Sequence, residues 1–144
     1  MQMGSMGERL GLAWDRAWNN GDVDALDEVF APDYVRTSLF DKRTLDRAGM
    51  KSAIATVRES FPDMTTTIVR IVETDDALAV LWSSVGTHLG RFRDVPATGK
   101  PIETSGSSFF RIRDGLIVEE IETWDSRDIL STLGIHSLRS TRDA

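Results

Sequence analysis

The feature of this sequence that most constrains its fold is a change in hydrophobic periodicity at Pro62. Before Pro62, apolar residues recur at the spacing of amphipathic helices. After it come four runs rich in β-branched and aromatic residues, which predict strands over residues 65–72, 77–87, 102–112 and 116–124. Helices followed by consecutive strands indicate an α+β domain with a mostly antiparallel sheet, and not a parallel doubly wound sheet.

Capping and breaking residues divide the helical half of the chain. We predict helices over residues 8–19, 22–30 and 46–60 and an extended segment over residues 34–37. Gly21 ends the first helix, Pro32 ends the second, and Asp46 caps the third. A last short helix, up to residue 133, is expected to begin at Ser126 or Asp128.

The turn Asp114-Gly115 predicts a register for the last two strands. A two-residue Asp-Gly turn places Arg113 opposite Leu116, and every further pair can then be counted. One face of the hairpin then carries Ile112, Ile117, Phe110, Glu119, Ser108, Ile121, Gly106, Thr123, Thr104 and Asp125. The other carries Arg111, Val118, Phe109, Glu120, Ser107, Glu122, Ser105 and Trp124. We interpret the first face as the lining of a cavity beneath the helices, and the second, with an Arg111–Glu120 ion pair, as a dimer surface.

Composition limits the partners and the compartment. A chain of 144 residues suffices for one domain, so we assign residues 1–144 to a single domain with a core at about 8–134 and a tail over 135–144. Lys and Arg number 17 against 23 Asp and Glu, and the net charge of −6 argues against nucleic acid and anionic membranes as partners. Cysteine is absent, which excludes thiol catalysis and disulfides. The chain also has no signal-like or membrane-length apolar run, so we expect a cytoplasmic protein.

Two residues are candidates for catalysis. Asp125 ends the first face, where apolar neighbours would desolvate its carboxylate and raise its pKa toward the range useful for general acid and base chemistry. The structural alternative is that Asp125 caps the last helix. His88, at a strand end, would orient a substrate carbonyl or move a proton, although a lone histidine is more often structural. Because His88 and His136 are far apart and have no ligand partners at suitable spacing, no metal site is predicted.

Large apolar residues supply the candidate substrate-binding wall. They are Trp14, Trp18, Tyr34, Phe61, Trp82, Phe110 and Ile121. Residues of this kind usually form the core, and in a fold with an internal pocket they also line it. The Tyr34 hydroxyl adds a polar group that can bind a ligand.

An ordered set of short segments resembles one protein family. The segments are Ala17-Trp18-Asn19-Asn20-Gly21-Asp22, Phe30-Ala31-Pro32-Asp33-Tyr34, Phe61-Pro62-Asp63-Met64, Gly86-Thr87-His88-Leu89-Gly90, Ala97-Thr98-Gly99-Lys100-Pro101, Asp114-Gly115-Leu116-Ile117-Val118-Glu119-Glu120, Trp124-Asp125 and Leu133-Gly134. Together they resemble the SnoaL-like polyketide cyclases of the nuclear transport factor two-like superfamily.

This resemblance implies a fold, a chemistry and an assembly. The fold is a cone-shaped α+β barrel, with N-terminal helices packed on a strongly curved, mostly antiparallel sheet that encloses a pocket. In the family, an aspartate acts as general acid and base in an intramolecular aldol condensation that uses no cofactor or metal. Asp125 matches the position of that aspartate, and the match at Gly-Thr-His implies that His88 lies at the cavity mouth. Family members form dimers or higher oligomers through the outer face of the sheet, and the resemblance implies the same assembly for this chain.

We therefore expect a cofactor-independent cyclase or isomerase that acts on a carbonyl-rich, largely apolar small molecule. A non-catalytic ligand-binding or scaffold domain of the same fold is the main alternative, and dehydratase or epoxide hydrolase activity is a further one. Epoxide hydrolysis of the limonene type needs an Asp-Arg-Asp trio inside the pocket, whereas the counted register places Arg111 on the opposite face from Asp125.

Overall fold

The computed structural model describes residues 4–135, which contain a six-stranded sheet and three α-helices. The elements are α1 (Met6–Trp14), β1 (Phe30–Ser38), β2 (Thr44–Asp46), α2 (Arg47–Ser60), β3 (Thr65–Glu73), β4 (Ala77–Thr87), β5 (Pro101–Arg113), β6 (Leu116–Thr123) and α3 (Arg127–Thr132). The strands are ordered β2-β1-β6-β5-β4-β3, and all neighbours are antiparallel except β1 and β6. The α+β prediction is confirmed. The tail beyond residue 135, with His136, lies outside the described residues.

The helix starts follow from local capping chemistry. The Ser5 side chain accepts a hydrogen bond from the Glu8 N–H, and Asp46 accepts one from the Gly49 N–H at 2.7 Å, so each satisfies a free amide of the first turn. After Trp14 the chain continues in a π-helical turn, Asp15–Asn19, and a 3-10 helix follows at Val23–Glu28.

A short helix is present within residues 22–30, but the prediction that Pro32 ends it is wrong. Strand β1 already begins at Phe30, and Pro32 lies within it. The pairing of β1 with β6 is interrupted between Phe30 and Val35, so a residue without an N–H group is accommodated there. The short strand β2 was also not predicted.

The hairpin between β5 and β6 contains a bulge that the sequence count did not include. Asp114 and Gly115 both have positive φ, at 54° and 77°, as a tight two-residue turn of this class requires. Arg113 pairs with Leu116 and Ile112 with Ile117 as counted, but Arg111 then pairs with Glu119. Val118 is therefore an extra residue in β6.

Because side chains alternate along a strand, this one extra residue exchanges the two faces of β6 beyond Val118. Glu120 and Glu122 are buried and lie on the same face as Phe110, whereas Ile121 is paired with the exposed Phe109. The prediction that Ile121 lines the cavity is wrong for this reason. The predicted ion pair of Arg111 with Glu120 is also wrong, since Arg111 faces Glu119 at 3.5 Å.

Two apolar clusters hold the elements together. In the larger one, α1 and α2 pack on the inner face of the sheet through fully buried residues such as Leu10, Ile54 and Phe110. The smaller one joins α3 to the loop after β4, around Phe61 and Phe92. The outer face of the sheet exposes a third set of apolar side chains, Leu81, Val85 and Phe109. No helix in residues 4–135 has both the length and the apolar character to cross a membrane.

Candidate functional site

A cavity of about 1160 Å³ lies between the helices and the inner face of the sheet. Its walls come from α1, α2, all six strands of the sheet, the loop that follows β4, and the segment between β6 and α3. Ligand pockets typically measure roughly 300–1,000 Å³, so the space is sufficient for a polycyclic small molecule.

Aromatic rings form one part of the cavity wall. Trp14 ends α1 and Trp18 lies in the π-helical turn that follows, with ring centres 6.1 Å apart. The rings of Trp82 and Trp124 form a second pair, with centres 6.4 Å apart. Gly106 makes the second pair possible, because a Cβ atom there would overlap the Trp82 ring. Trp14, Trp18, Trp82 and Phe61 all line the cavity, as the sequence predicts, and their contact with a ligand stays a prediction.

Polar side chains form a second part of the wall, on the sheet. The hydroxyls of Thr66 and Ser84 are hydrogen-bonded to each other at 2.8 Å, and Thr104 accepts a hydrogen bond from the Trp124 indole at 2.8 Å. These groups are already paired within the protein. They give the wall polarity without leaving a free group for chemistry.

Glu120 is held by two hydroxyl groups in the interior. The Tyr34 phenol donates to Glu120 Oε1 at 2.5 Å, and Ser108 donates to Glu120 Oε2 at 2.7 Å. Burial and the adjacent Glu120 raise the pKa of Tyr34 well above its usual value, so the phenol keeps its proton and acts as a donor. Both oxygens of Glu120 are thus occupied.

Glu122 shares the cation that also faces Glu120. Arg36 Nη2 lies 2.9 Å from Glu122 Oε2, Ser38 donates to the same oxygen at 2.7 Å, and Arg36 Nε lies 3.6 Å from Glu120 Oε2. Burial raises the pKa of Glu122 above its ordinary value, against the opposing effects of Arg36 and Ser38. For Arg36, burial opposes the charge, but the two glutamates raise its pKa overall.

Three buried polar atoms of residues that line the cavity have no hydrogen-bond partner in the described residues. They are Trp14 Nε1 and Arg36 Nε, which are donors, and Glu122 Oε1, which accepts when ionised and donates when protonated. Buried polar groups in folded proteins are nearly always paired, because an unpaired one costs about 1–3 kcal/mol. Unpaired atoms on the wall of a cavity are therefore groups that a ligand can satisfy.

Asp125 lies at the edge of the cavity, but its surroundings differ from the expected ones. Its side chain is 33% exposed and forms an ion pair with Arg127 at 2.7 Å. The Arg127 guanidinium and backbone N–H lower the pKa of Asp125. The expectation of a desolvated carboxylate with a raised pKa is wrong because Asp125 follows the end of β6 and pairs with a residue two positions along the chain.

His88 is fully buried and is not part of the cavity wall, so its expected place at the cavity mouth is wrong. Its Nδ1 accepts from the Thr98 N–H at 3.2 Å and lies 2.9 Å from the Thr98 hydroxyl, which ties the loop after β4 to the strand end. Tyr34 and Phe110 are also fully buried and do not line the cavity. In residues 4–135, His, Asp and Glu form no group of three that could hold a metal ion.

The buried groups that sequence reasoning missed are Arg36, Glu120 and Glu122. The bulge at Val118 places both glutamates inside. The signal for it was the adjacent apolar pair Ile117-Val118, in which both residues are buried although strict alternation would expose one of them.

A family model described as SnoaL-like polyketide cyclase matches residues 8–133. Among solved structures, IdmH from Streptomyces antibioticus, a candidate polyketide cyclase, is 32% identical over 92% of this chain and 100% of its own, with a TM-score of 0.80. AclR from Streptomyces galilaeus, a candidate hydroxylase, is 29% identical over 90% of this chain and 98% of its own, with a TM-score of 0.77.

A protein with a ketosteroid isomerase-like fold from Catenulispora acidiphila covers 86% of this chain and 91% of its own at 18% identity, with a TM-score of 0.68, which shows the fold alone. No curated protein matches the chain. The expected fold is thereby confirmed.

Proposed function

The chain belongs to the SnoaL-like polyketide cyclase family, and we propose that it is a cofactor-independent cyclase or isomerase that moves a proton on a carbonyl-bearing, largely apolar small molecule. The similarity to a candidate polyketide cyclase supports this class of substrate. The size of the cavity and its tryptophan walls support an aromatic, polycyclic ligand.

The unpaired Trp14 Nε1–H is the observation that carries the proposal. This donor is buried on the cavity wall without an acceptor among the described residues, and a ligand carbonyl would supply one. A hydrogen bond to a carbonyl oxygen strengthens as negative charge develops there, so the same donor stabilises an enolate more than the ketone. Trp14 thus binds the substrate and lowers the barrier to removing a proton from the carbon beside the carbonyl.

The two catalytic candidates predicted from the sequence, Asp125 and His88, receive different support from the structure. Asp125 stays a candidate general acid and base, implied by the family resemblance. However, its ion pair with Arg127 makes it a weak base in this conformation. For His88, the geometry supports a role in holding the loop after β4 in place, and a direct catalytic role has no support from its position.

A binding protein that performs no reaction is the second candidate function. The lowered pKa of Asp125 favours it, since a general acid or base is expected to be shifted upward toward neutrality. Both candidates predict that a ligand occupies the cavity. They differ in whether a bound carbonyl compound loses a proton.

Proton exchange distinguishes the two candidates without knowledge of the natural substrate. The probe is 2-tetralone, an aromatic ketone with an acidic CH₂ group, incubated with the protein in D₂O and followed by proton NMR. We expect the protein to accelerate loss of the CH₂ signal above the buffer rate. Saturable binding with no acceleration would refute the enzyme and support the binding protein.

Two tryptophan substitutions on α2 provide a matched pair for this experiment. Ala53 lines the cavity, so Ala53→Trp fills part of it and should abolish the acceleration. Ala55 is exposed on the same helix and is not part of the cavity wall, so Ala55→Trp should leave the rate unchanged. Equal rates in the two variants would place the exchange outside the cavity.

A further inference from the structure

The interior of the sheet holds two carboxyl groups against one guanidinium. Glu120 and Glu122 are each 2% exposed, and both face Arg36, whose side chain is 15% exposed. If both carboxyl groups were ionised, the cluster would carry an uncompensated negative charge away from water, which is costly. The cluster is balanced when one carboxyl group holds a proton.

The hydrogen bonds indicate which carboxyl group can exchange that proton with a ligand. Each oxygen of Glu120 accepts from a hydroxyl, one from Tyr34 and one from Ser108. Glu122 Oε2 accepts from Ser38 and forms an ion pair with Arg36, whereas Glu122 Oε1 has no partner in the described residues. Of the two buried carboxyl groups, Glu122 is therefore the one with an oxygen that can take up or release a proton without breaking a hydrogen bond, and Glu122 lines the cavity.

We infer that Glu122 is the residue that takes a proton from the substrate and returns it, with Oε1 as the reacting atom and Arg36 and Ser38 holding the other oxygen. This inference rests on the proposed function and identifies its proton-transfer residue. The unpartnered oxygen, the cavity beside it and the shared cation support it together.

The electrostatics of the cluster suit this role. Burial raises the pKa of Glu122, with further upward contributions from Glu120 and Asp41, while Arg36 and Ser38 limit the rise. A raised pKa moves a glutamate from its usual acidic range toward neutrality, where a base is strong enough to remove a proton and its acid strong enough to give it back. Asp125 is shifted in the opposite direction.

The reaction step balances within one substrate molecule. Ionised Glu122 removes a proton from the carbon beside a carbonyl, so that the C–H bond breaks, an O–H bond forms at Oε1, and the electron pair moves onto the carbonyl oxygen as an enolate. The enolate carbon then forms a C–C bond with a second carbonyl carbon of the same molecule. The oxygen of that second carbonyl takes the proton from Glu122 and becomes a hydroxyl, which restores the carboxylate without an oxidant, a reductant or a co-substrate.

The test compares three variants in the 2-tetralone exchange assay. In Glu122→Gln, the amide oxygen can face Arg36 and Ser38 while the NH₂ group takes the unpartnered position, so the fold should persist. We expect this variant to lose about a hundredfold or more of the rate above buffer, the usual contribution of a general base. Glu119→Gln is the matched control on the same strand, 41% exposed and outside the cavity wall, and should stay within about twofold of the wild type.

The third variant and a pH profile separate the outcomes. Asp125→Asn tests the other candidate for the proton transfer, the one that the family resemblance implies. If Asp125→Asn abolished exchange and Glu122→Gln retained it, the inference would be overturned in favour of Asp125. A wild-type protein that accelerates no exchange would refute the proposed function, whereas exchange unaffected by Glu122→Gln would refute this inference alone.

If Glu122→Gln did not fold, the pH dependence of the wild-type exchange rate is the deciding measurement. An apparent pKa above the ordinary glutamate range supports Glu122, and a rate that does not change with pH in that range contradicts it.

Discussion

Replacing Tyr34 with phenylalanine removes one hydroxyl from the buried cluster and leaves the ring in place. The ring stacks on Phe30 at 4.0 Å and is fully buried, so Tyr34→Phe creates no large cavity. What is lost is the hydrogen bond to Glu120 Oε1, which leaves Ser108 as the remaining hydroxyl donor to that carboxyl group.

The expected cost follows from the charge of the acceptor. A hydrogen bond to an ionised group contributes about 1.5–3 kcal/mol, so we expect the free energy of unfolding to fall by about 2 kcal/mol. With about 2.1 cal/mol/K per residue over 144 residues, the unfolding entropy is about 0.3 kcal/mol/K, and Tm should fall by about 7 °C. Urea unfolding followed by tryptophan fluorescence measures the first quantity, and a thermal melt measures the second.

A double-mutant cycle tests the reasoning behind this magnitude. In a Glu120→Gln background the acceptor is neutral, so removing the Tyr34 hydroxyl should cost only about 1 kcal/mol or less. A loss below about 0.5 kcal/mol in the wild-type background, or an equal loss in both backgrounds, would refute the view that Glu120 is a charged acceptor for Tyr34.

Three further predictions concern the ligand, the pH dependence and the assembly. Trp14→Phe should weaken 2-tetralone binding about fivefold, measured by fluorescence titration, because it removes one donor; an unchanged Kd would contradict this. Burial raises the folded-state pKa of Glu122, so the stability that its protonated form contributes is complete below the ordinary glutamate pKa and is lost as pH rises through the raised pKa. The free energy of unfolding, measured across pH, should show this loss in the wild type and in Glu119→Gln but not in Glu122→Gln. Light scattering of the wild type should give the mass of a dimer or higher oligomer. Phe109→Lys, on the outer face of the sheet, should lower that mass, and a monomeric wild type would contradict the predicted interface.

Much of the fold could be predicted from the sequence because its signals are local. Asp46 caps α2 through an amide three residues along the chain, and Asp114-Gly115 adopts the two positive φ values of its turn. The helical period of the apolar residues likewise places Trp14 and Trp18 on one face, and both residues line the cavity. None of these features depends on a distant part of the chain.

The chemistry of the cavity could not be predicted in the same way. The register count assumed unbroken alternation, and one extra residue at Val118 moved Glu120 and Glu122 to the inside and Ile121 to the outside. Charged residues in a strand are usually exposed, so burial of both glutamates depends on Arg36 from β1, a parallel neighbour distant in sequence. The lowered pKa of Asp125 depends on the conformation of Arg127, which spacing alone does not give.

A crystal structure of the protein with 2-tetralone bound is the most direct test of the central claim, that the cavity holds a carbonyl compound against a donor and a base. The account predicts the ketone oxygen within hydrogen-bond distance of Trp14 Nε1 and the acidic CH₂ group in contact with Glu122 Oε1. A ligand bound in the cavity with its ketone at the Asp125–Arg127 pair, or a ligand bound only outside the cavity, would contradict it.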